Sequence, residues 1–267
     1  MDKAVQPTYS LFQWDISFRG TIVHRALYGI IFASTISLPG AGLTLLAQGV
    51  DVSAKILLHT PDKTSEAKHK VPASAANIVM WLSPLQPGAT RPAAAHPTTT
   101  YRLVQKNKQF SPHLLVVPTG ASVEFPNEDP FFHNVFSLFN GKRFDLGLYE
   151  SGTTRSVRFD REGVSYIFCN IHPEMGAVVL SLSTPYYGIS TASGLVIIHN
   201  VAPGSYRLNA WSEDAQPANS ADIQRTVQVS NDSVHLGEII FNRTPSTIEN
   251  HKNKFGEDYP VTPLPKY

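Results

Sequence analysis

Cys169 is the only cysteine of the 267-residue chain and heads the segment Cys169-Asn170-Ile171-His172-Pro173-Glu174-Met175. A thiol, an imidazole and a thioether therefore fall within one tight turn, directly after the apolar run VSYIFC. A second imidazole, His133, lies upstream in Phe131-Phe132-His133-Asn134-Val135-Phe136. One soft thiolate, two imidazoles and a weak thioether are the donor set of a blue-copper electron-transfer site. The thiolate bonds covalently to copper, and imidazole serves both oxidation states. A distant thioether lets the metal change valence with little movement, and little movement means fast electron transfer. The competing reading is a buried, inert thiol with incidental neighbours. It must then treat as chance that one of only three methionines, the others being Met1 and Met80, shares the turn with the sole cysteine.

Such a turn needs a rigid strand on either side, and the body of the chain reads as strands. Ser122-Val123-Glu124-Phe125 and Ser156-Val157-Arg158-Phe159 alternate polar and apolar residues with period two. Val164 to Cys169, Ala177 to Leu182 and Gly194 to Ile198 are short β-branched or aromatic runs. Turn signals such as Pro118-Thr119-Gly120, Asn140-Gly141, Glu162-Gly163 and Pro203-Gly204 separate them. The spacing predicts an all-β protein, a sandwich or Greek-key barrel. Residues 60–72 and 86–100 read as loops, and the polar, proline-bearing stretch 243–267 as an extended or disordered tail.

Composition narrows the function. Charged residues are only 16% of the chain and the formal net charge is +1, with Lys and Arg scattered. That pattern speaks against nucleic acid and against a polybasic membrane module as partners. A single cysteine excludes an intramolecular disulfide framework, a Cys-rich zinc site and a thiolate-held iron–sulfur cluster. The other histidines fall in the leader, in polar loops, in the tail or in later strands. Of these, His113 has the most suggestive place, at the head of the run HLLVV.

Residues 1–49 read as a signal peptide or N-terminal anchor. No charge interrupts 26–50, Arg19 and Arg25 precede it, and Ala47-Gln48-Gly49 offers a small-residue cleavage site. Export to the periplasm is expected. A membrane anchor through 26–47 is the alternative if the segment stays uncleaved, although Pro39, Gly40 and Gly42 weaken that helix.

The segments VPTGASVEFPNEDPFFHNVFS, FDLGLYESGTTRSVRF and FCNIHPEMGA together resemble the cupredoxins, in particular the bacterial plastocyanin-like, methylamine-utilization-like family. Cys-x2-His-x2-Met is similar to the ligand loop of amicyanin, with Ile171 where that loop carries proline. The resemblance covers roughly Tyr101 to Ser183 and implies copper ligands His133, Cys169, His172 and Met175. It also implies a backbone N–H of Asn134 on the thiolate, with the Asn134 side chain tying the two ligand segments together. A second N–H donor comes from Ile171, which a proline would lack. Pro173, Glu174, Gly176 and Ala177 are expected to form the docking face for redox partners, a c-type cytochrome or a quinoprotein dehydrogenase by analogy. SGLVI and VAPGSYRL further resemble a carboxypeptidase regulatory-like, transthyretin-type sandwich.

The expected layout is a copper domain at 101–184, flanked by an accessory sandwich from 50–100 and 185–242. The copper domain is inserted into that sandwich or packed against it; one continuous β-rich body is the alternative. The expected function is an exported mononuclear copper protein that carries single electrons and is not an enzyme. Multicopper enzymes need His-x-His pairs, and none occurs. The alternative is copper handling or a binding module without redox turnover.

Overall fold

The computed structural model describes residues 49–59, 74–86, 99–138, 141–246, 248 and 251–259. The expected leader and anchor, the greater part of both expected loops and the last eight residues lie outside these. Among the described residues there are eighteen strands and one short 3-10 turn, Ser220–Asp222. The chain is all-β, as its period-two runs predict. No described helix is long and apolar enough to cross a membrane.

Two sheets enclose one apolar cluster. The first orders Leu195–Val201, Val50–His59, Val234–Arg243 and Ala215–Pro217; the second orders Tyr187–Ile189, Val79–Pro84, Gly204–Trp211 and Thr226–Val229. Alternation fills the space between them: Val52, Ala54 and Ile56 from one strand meet Met80, Leu82, Tyr206 and Leu208 from the other sheet. Strands before residue 100 thus pair with strands after residue 185.

A second cluster lies between the strands contributed by 101–182. A five-stranded sheet orders Leu114–Pro118, Gly176–Leu182, Gly163–Cys169, His133–Ser137 and Phe144–Tyr149. A three-stranded sheet, Thr154–Arg158, Ser122–Pro126 and Tyr101–Arg102, carries the facing residues. Phe125, Val135, Phe159, Ile167, Cys169, Met175 and Val179 share this core. The hairpin Val104–Lys106/Gln109–Ser111 turns through Asn107 and Lys108, both at positive φ (55° and 56°). That is the signature of a type I′ turn. Asparagine accepts this conformation readily, whereas lysine in it costs about 1 kcal/mol.

The two cores meet at a seam. Val116, Leu180 and Leu182 pack with Val79, Trp81 and Trp211 from the other pair of sheets. Gly176–Leu182 is therefore covered on both faces, which is why its sequence AVVLSL shows no polar alternation.

Candidate metal centre

Each chemically active side chain is aimed by a strand or by a turn locked at both ends. Gly163–Cys169 ends on Cys169, with no accessible surface at that residue. The Cys169 N–H donates to the Met175 carbonyl (3.2 Å) and the Met175 N–H to the His172 carbonyl (3.0 Å). The ligand turn thus closes on itself. Asn170 N–H donates across to the Asn134 carbonyl (3.0 Å), joining this turn to strand His133–Ser137.

His133, Cys169 and His172 converge as a result. Cys169 Sγ lies 3.6 Å from His133 Nδ1 and 3.5 Å from His172 Nδ1, and the two Nδ1 atoms lie 3.2 Å apart. These are the only three His, Cys, Asp or Glu residues that cluster in this way among those described. Points equidistant from the three atoms lie about 2.0 Å or more from each, which takes in the roughly 2.0–2.3 Å of first-row metal bonds to nitrogen and sulfur. The donor triangle fits a metal ion. Met175 is fully buried in the same apolar cluster as Cys169.

Electrostatics support the same use. Burial pushes the Cys169 thiol up, while backbone N–H groups of Asn134, Ile171 and His172 bond to the sulfur and pull it back. Burial lowers His133, against the pull of Asp129. His172 is lowered by burial and then by the neighbouring His133. Both rings are thereby held neutral, as metal ligation requires. Phe131 packs against both, with ring centroids 5.3 and 5.5 Å away.

Asp129 is a functional residue that sequence reasoning missed. Its Oδ2 lies 2.9 Å from His133 Nε2, and the pair is almost wholly buried. Its carboxylate also accepts N–H bonds from Asn107 (2.6 Å) and Lys108 (2.9 Å), the two residues of the I′ turn. Burial alone would raise Asp129, but these bonds and His133 bring it below the usual carboxylate value. An ionised Asp129 fixes the proton on Nε2 and leaves the Nδ1 lone pair free toward the centre. Asn127 shapes the intervening loop by accepting from Asp129 N–H (3.0 Å) and donating to the Phe131 carbonyl (2.8 Å).

Two expectations need correction. The Asn134 side chain does not tie the ligand segments together: its Nδ2 donates to Asp145 Oδ1 (2.6 Å), and its backbone carbonyl makes the tie instead. Two of the four residues expected at a docking face, Gly176 and Ala177, are also covered. Pro173 and Glu174 are exposed, but Ala177 is fully buried, because the strand beyond Met175 enters the core. Gly176 lies under Ile248, and a Cβ there would collide with the isoleucine methyl.

His113 belongs to the seam rather than to the centre. Its Nε2 lies 2.5 Å from Glu213 Oε2, and its ring also bonds the Gly176 carbonyl. The bond to Glu213 chiefly raises His113 above 6.5. Burial alone would raise Glu213, yet His113 and Ser246 hold it below 4.5. The His113 contribution is therefore complete below its ordinary value and fades as pH rises through the raised one. Glu213 contributes above its ordinary value and fades as pH falls through the lowered one. The pair supports the fold best between about pH 4.5 and 6.5. His113→Gln is expected to flatten the decline in thermal midpoint of the metal-free protein as pH rises above about 6.5. An unchanged slope would remove this pair from the account.

Fold and site together define an all-β protein with a buried histidine–cysteine–histidine centre shaped for a metal ion. No protein-family model and no curated protein sequence matches the chain. Among solved structures it is similar to a purple cupredoxin from Nitrosopumilus maritimus, at 26% identity over 31% of this chain and 99% of that one, with a TM-score of 0.28. It is also similar to amicyanin from Paracoccus versutus (19% identity, 32% and 84% coverage, TM-score 0.30). A further likeness is to the copper-containing nitrite reductase of Thermus scotoductus SA-01 (23% identity, TM-score 0.30), over 32% of this chain but only 22% of that one. TM-scores of this size do not establish a family.

Proposed function

We propose that the chain is an exported, periplasmic blue-copper protein that carries single electrons and is not an enzyme. The observation that carries this reading is the buried triangle of one sulfur and two Nδ1 atoms, with Met175 packed in the same core. Structural zinc sites take four strong donors. Three strong donors and a thioether suit copper instead. Copper held there supplies one-electron exchange between its cuprous and cupric forms.

The chain's own residues do the rest. His133, Cys169 and His172 would hold one copper ion, with Met175 as a weak further donor. Three N–H groups on the Cys169 sulfur draw electron density from it and weaken its preference for the cupric state. The locked turn and the seam keep the donors still. His172, 9% exposed, is the ligand nearest the surface and beside exposed Pro173 and Glu174. In this reading electrons pass there, and Glu174 acts mainly on the encounter rate with a c-type cytochrome or quinoprotein dehydrogenase. Residues 101–184 form the copper lobe, and 50–100 with 185–242 form the accessory sandwich. Membrane attachment follows only if 26–47 stays uncleaved.

Purified protein titrated with copper tests the reading. An intense visible sulfur-to-copper absorption and reversible one-electron cycling are expected. Binding without cycling would favour copper handling, and no binding would refute both. Met175→Leu is expected to keep the copper and raise the reduction potential by removing a donor that favours the cupric form. An unchanged potential and spectrum would remove Met175 from the ligand set.

A further inference from the structure

The polar C-terminal segment, which its composition marks as a tail, touches the flank of the Cys169 turn and reaches the His133 strand through Asp145. The Ser246 hydroxyl bonds Glu213, which holds His113, whose ring in turn bonds the Gly176 carbonyl one residue past Met175. Ile248 covers Gly176 itself. The His251 ring stacks on Phe168, the residue before Cys169, at 4.0 Å between centroids and 7° between planes. Lys254 N–H donates to Asn170 Oδ1 (3.0 Å), and its ammonium pairs with Asp145 (2.8 Å), which accepts from Asn134 next to His133. The Tyr259 hydroxyl donates to the Cys169 carbonyl (2.9 Å).

The segment is also braced from within. Asn253 Oδ1 accepts from the N–H groups of Phe255 (2.9 Å) and Glu257 (3.0 Å), and Lys252 pairs with Asp258 (2.9 Å). His251 Nε2 lies 3.1 Å from the Tyr259 hydroxyl. Surface ion pairs alone would hold such a strand weakly. Contacts to backbone carbonyls and side-chain amides of the ligand turn are of another kind.

One peptide group concentrates the effect. The Cys169–Asn170 peptide accepts from Tyr259 at its oxygen and donates from its nitrogen to the Asn134 carbonyl. A donor on the oxygen polarises the peptide and strengthens its N–H as a donor. That N–H is the strut between the two strands that carry His133 and Cys169. We propose that the described residues between 244 and 259 are a clasp built into the metal centre, with Tyr259 as a positioning residue that fixes the Cys169–Asn170 peptide and so the spacing of the ligand strands. The proposal rests on the copper reading above for its redox consequence, but not for its structural one.

Tyr259→Phe keeps the ring beside His251 and removes only the O–H donor. Phe255→Ala serves as the control in the same segment, because Phe255 is 72% exposed. In metal-free protein, amide hydrogen exchange at Asn170 is expected to quicken about fivefold in Tyr259→Phe, the loss of a hydrogen bond worth about 1 kcal/mol. In copper-loaded protein, loss of copper(I) to a soluble chelator should quicken about 10–100-fold, the range seen when partners of metal ligands are removed. The sulfur-to-copper(II) absorption should shift in energy, which a merely structural contact would not cause. Phe255→Ala should match the wild type in all three.

Wild-type exchange at Asn170 in Tyr259→Phe would overturn the clasp. Faster exchange with unchanged copper loss and absorption would overturn the positioning role. If the wild-type protein takes up no copper, the copper reading fails and the exchange arm alone decides whether the clasp exists.

Discussion

Cys169→Ser is expected to abolish the visible sulfur-to-copper absorption while leaving the metal-free fold intact. A serine hydroxyl is neither acidic nor soft enough to replace a thiolate, so the covalent bond behind the absorption cannot form. The fold should tolerate the change for a specific reason. Three backbone N–H groups, from Asn134, Ile171 and His172, already bond the sulfur, and an oxygen in its place accepts them as well. Serine is also nearly the same size, so no large cavity opens in the core. Absorption spectroscopy with copper, beside far-ultraviolet circular dichroism of the metal-free protein, checks both halves. A coloured serine variant would place the metal elsewhere. A colourless but unfolded one would show that Cys169 is needed chiefly for packing.

Asp129→Ala is expected to have the next largest effect, on stability and on metal affinity together. It strips the acceptor from three N–H groups at once: those of Asn107 and Lys108 and that of His133 Nε2. The fully buried His133 donor left without a partner costs about 1–3 kcal/mol, with smaller losses at the exposed Asn107 and Lys108, and the sum should appear in denaturant unfolding of the metal-free protein. His133 also loses the anion that sets its tautomer, and copper affinity should fall about 10–100-fold. Asp129→Asn separates the two. Its amide oxygen can keep Lys108 and His133 satisfied while the Asn107 N–H is lost, so the tautomer survives and only the charge goes. Asparagine should therefore bind copper better than alanine does. An alanine variant with wild-type affinity would show that His133 needs no partner at Nε2.

The contrast between these residues shows where sequence is informative. Cys169, His172 and Met175 are legible because their chemistry is concentrated in seven residues, and no other common use explains that grouping. Ser122 to Phe125 and Ser156 to Phe159 are legible as strands because each has one face in the core and one in water. Asp129 is silent in the sequence. Its role depends on a turn more than twenty residues upstream, at a lysine whose positive φ no propensity would suggest. Ala177 was misread for a related reason. It packs with Val135, Cys169 and Met175 in the core behind the turn, and the sequence after Met175 does not say how soon the strand enters that core. Tyr259 acts across ninety residues of chain, and a polar, proline-rich composition gives no hint of a partner that distant.

The seam has a consequence for any attempt to take the molecule apart. Val116, Leu180 and Leu182 stand on the metal-bearing side, with Val79, Trp81 and Trp211 opposite them. Thr184, at the edge of the 101–184 segment, donates to the Leu82 carbonyl (2.8 Å) across the same boundary. A fragment cut at 101–184 would turn those three aliphatic side chains out into water, each forfeiting about 1.5–3 kcal/mol of burial. It would also lose the segment that bears Tyr259. The half that holds the histidine–cysteine–histidine centre is therefore no detachable cassette, and a shortened version would be sticky and prone to self-association.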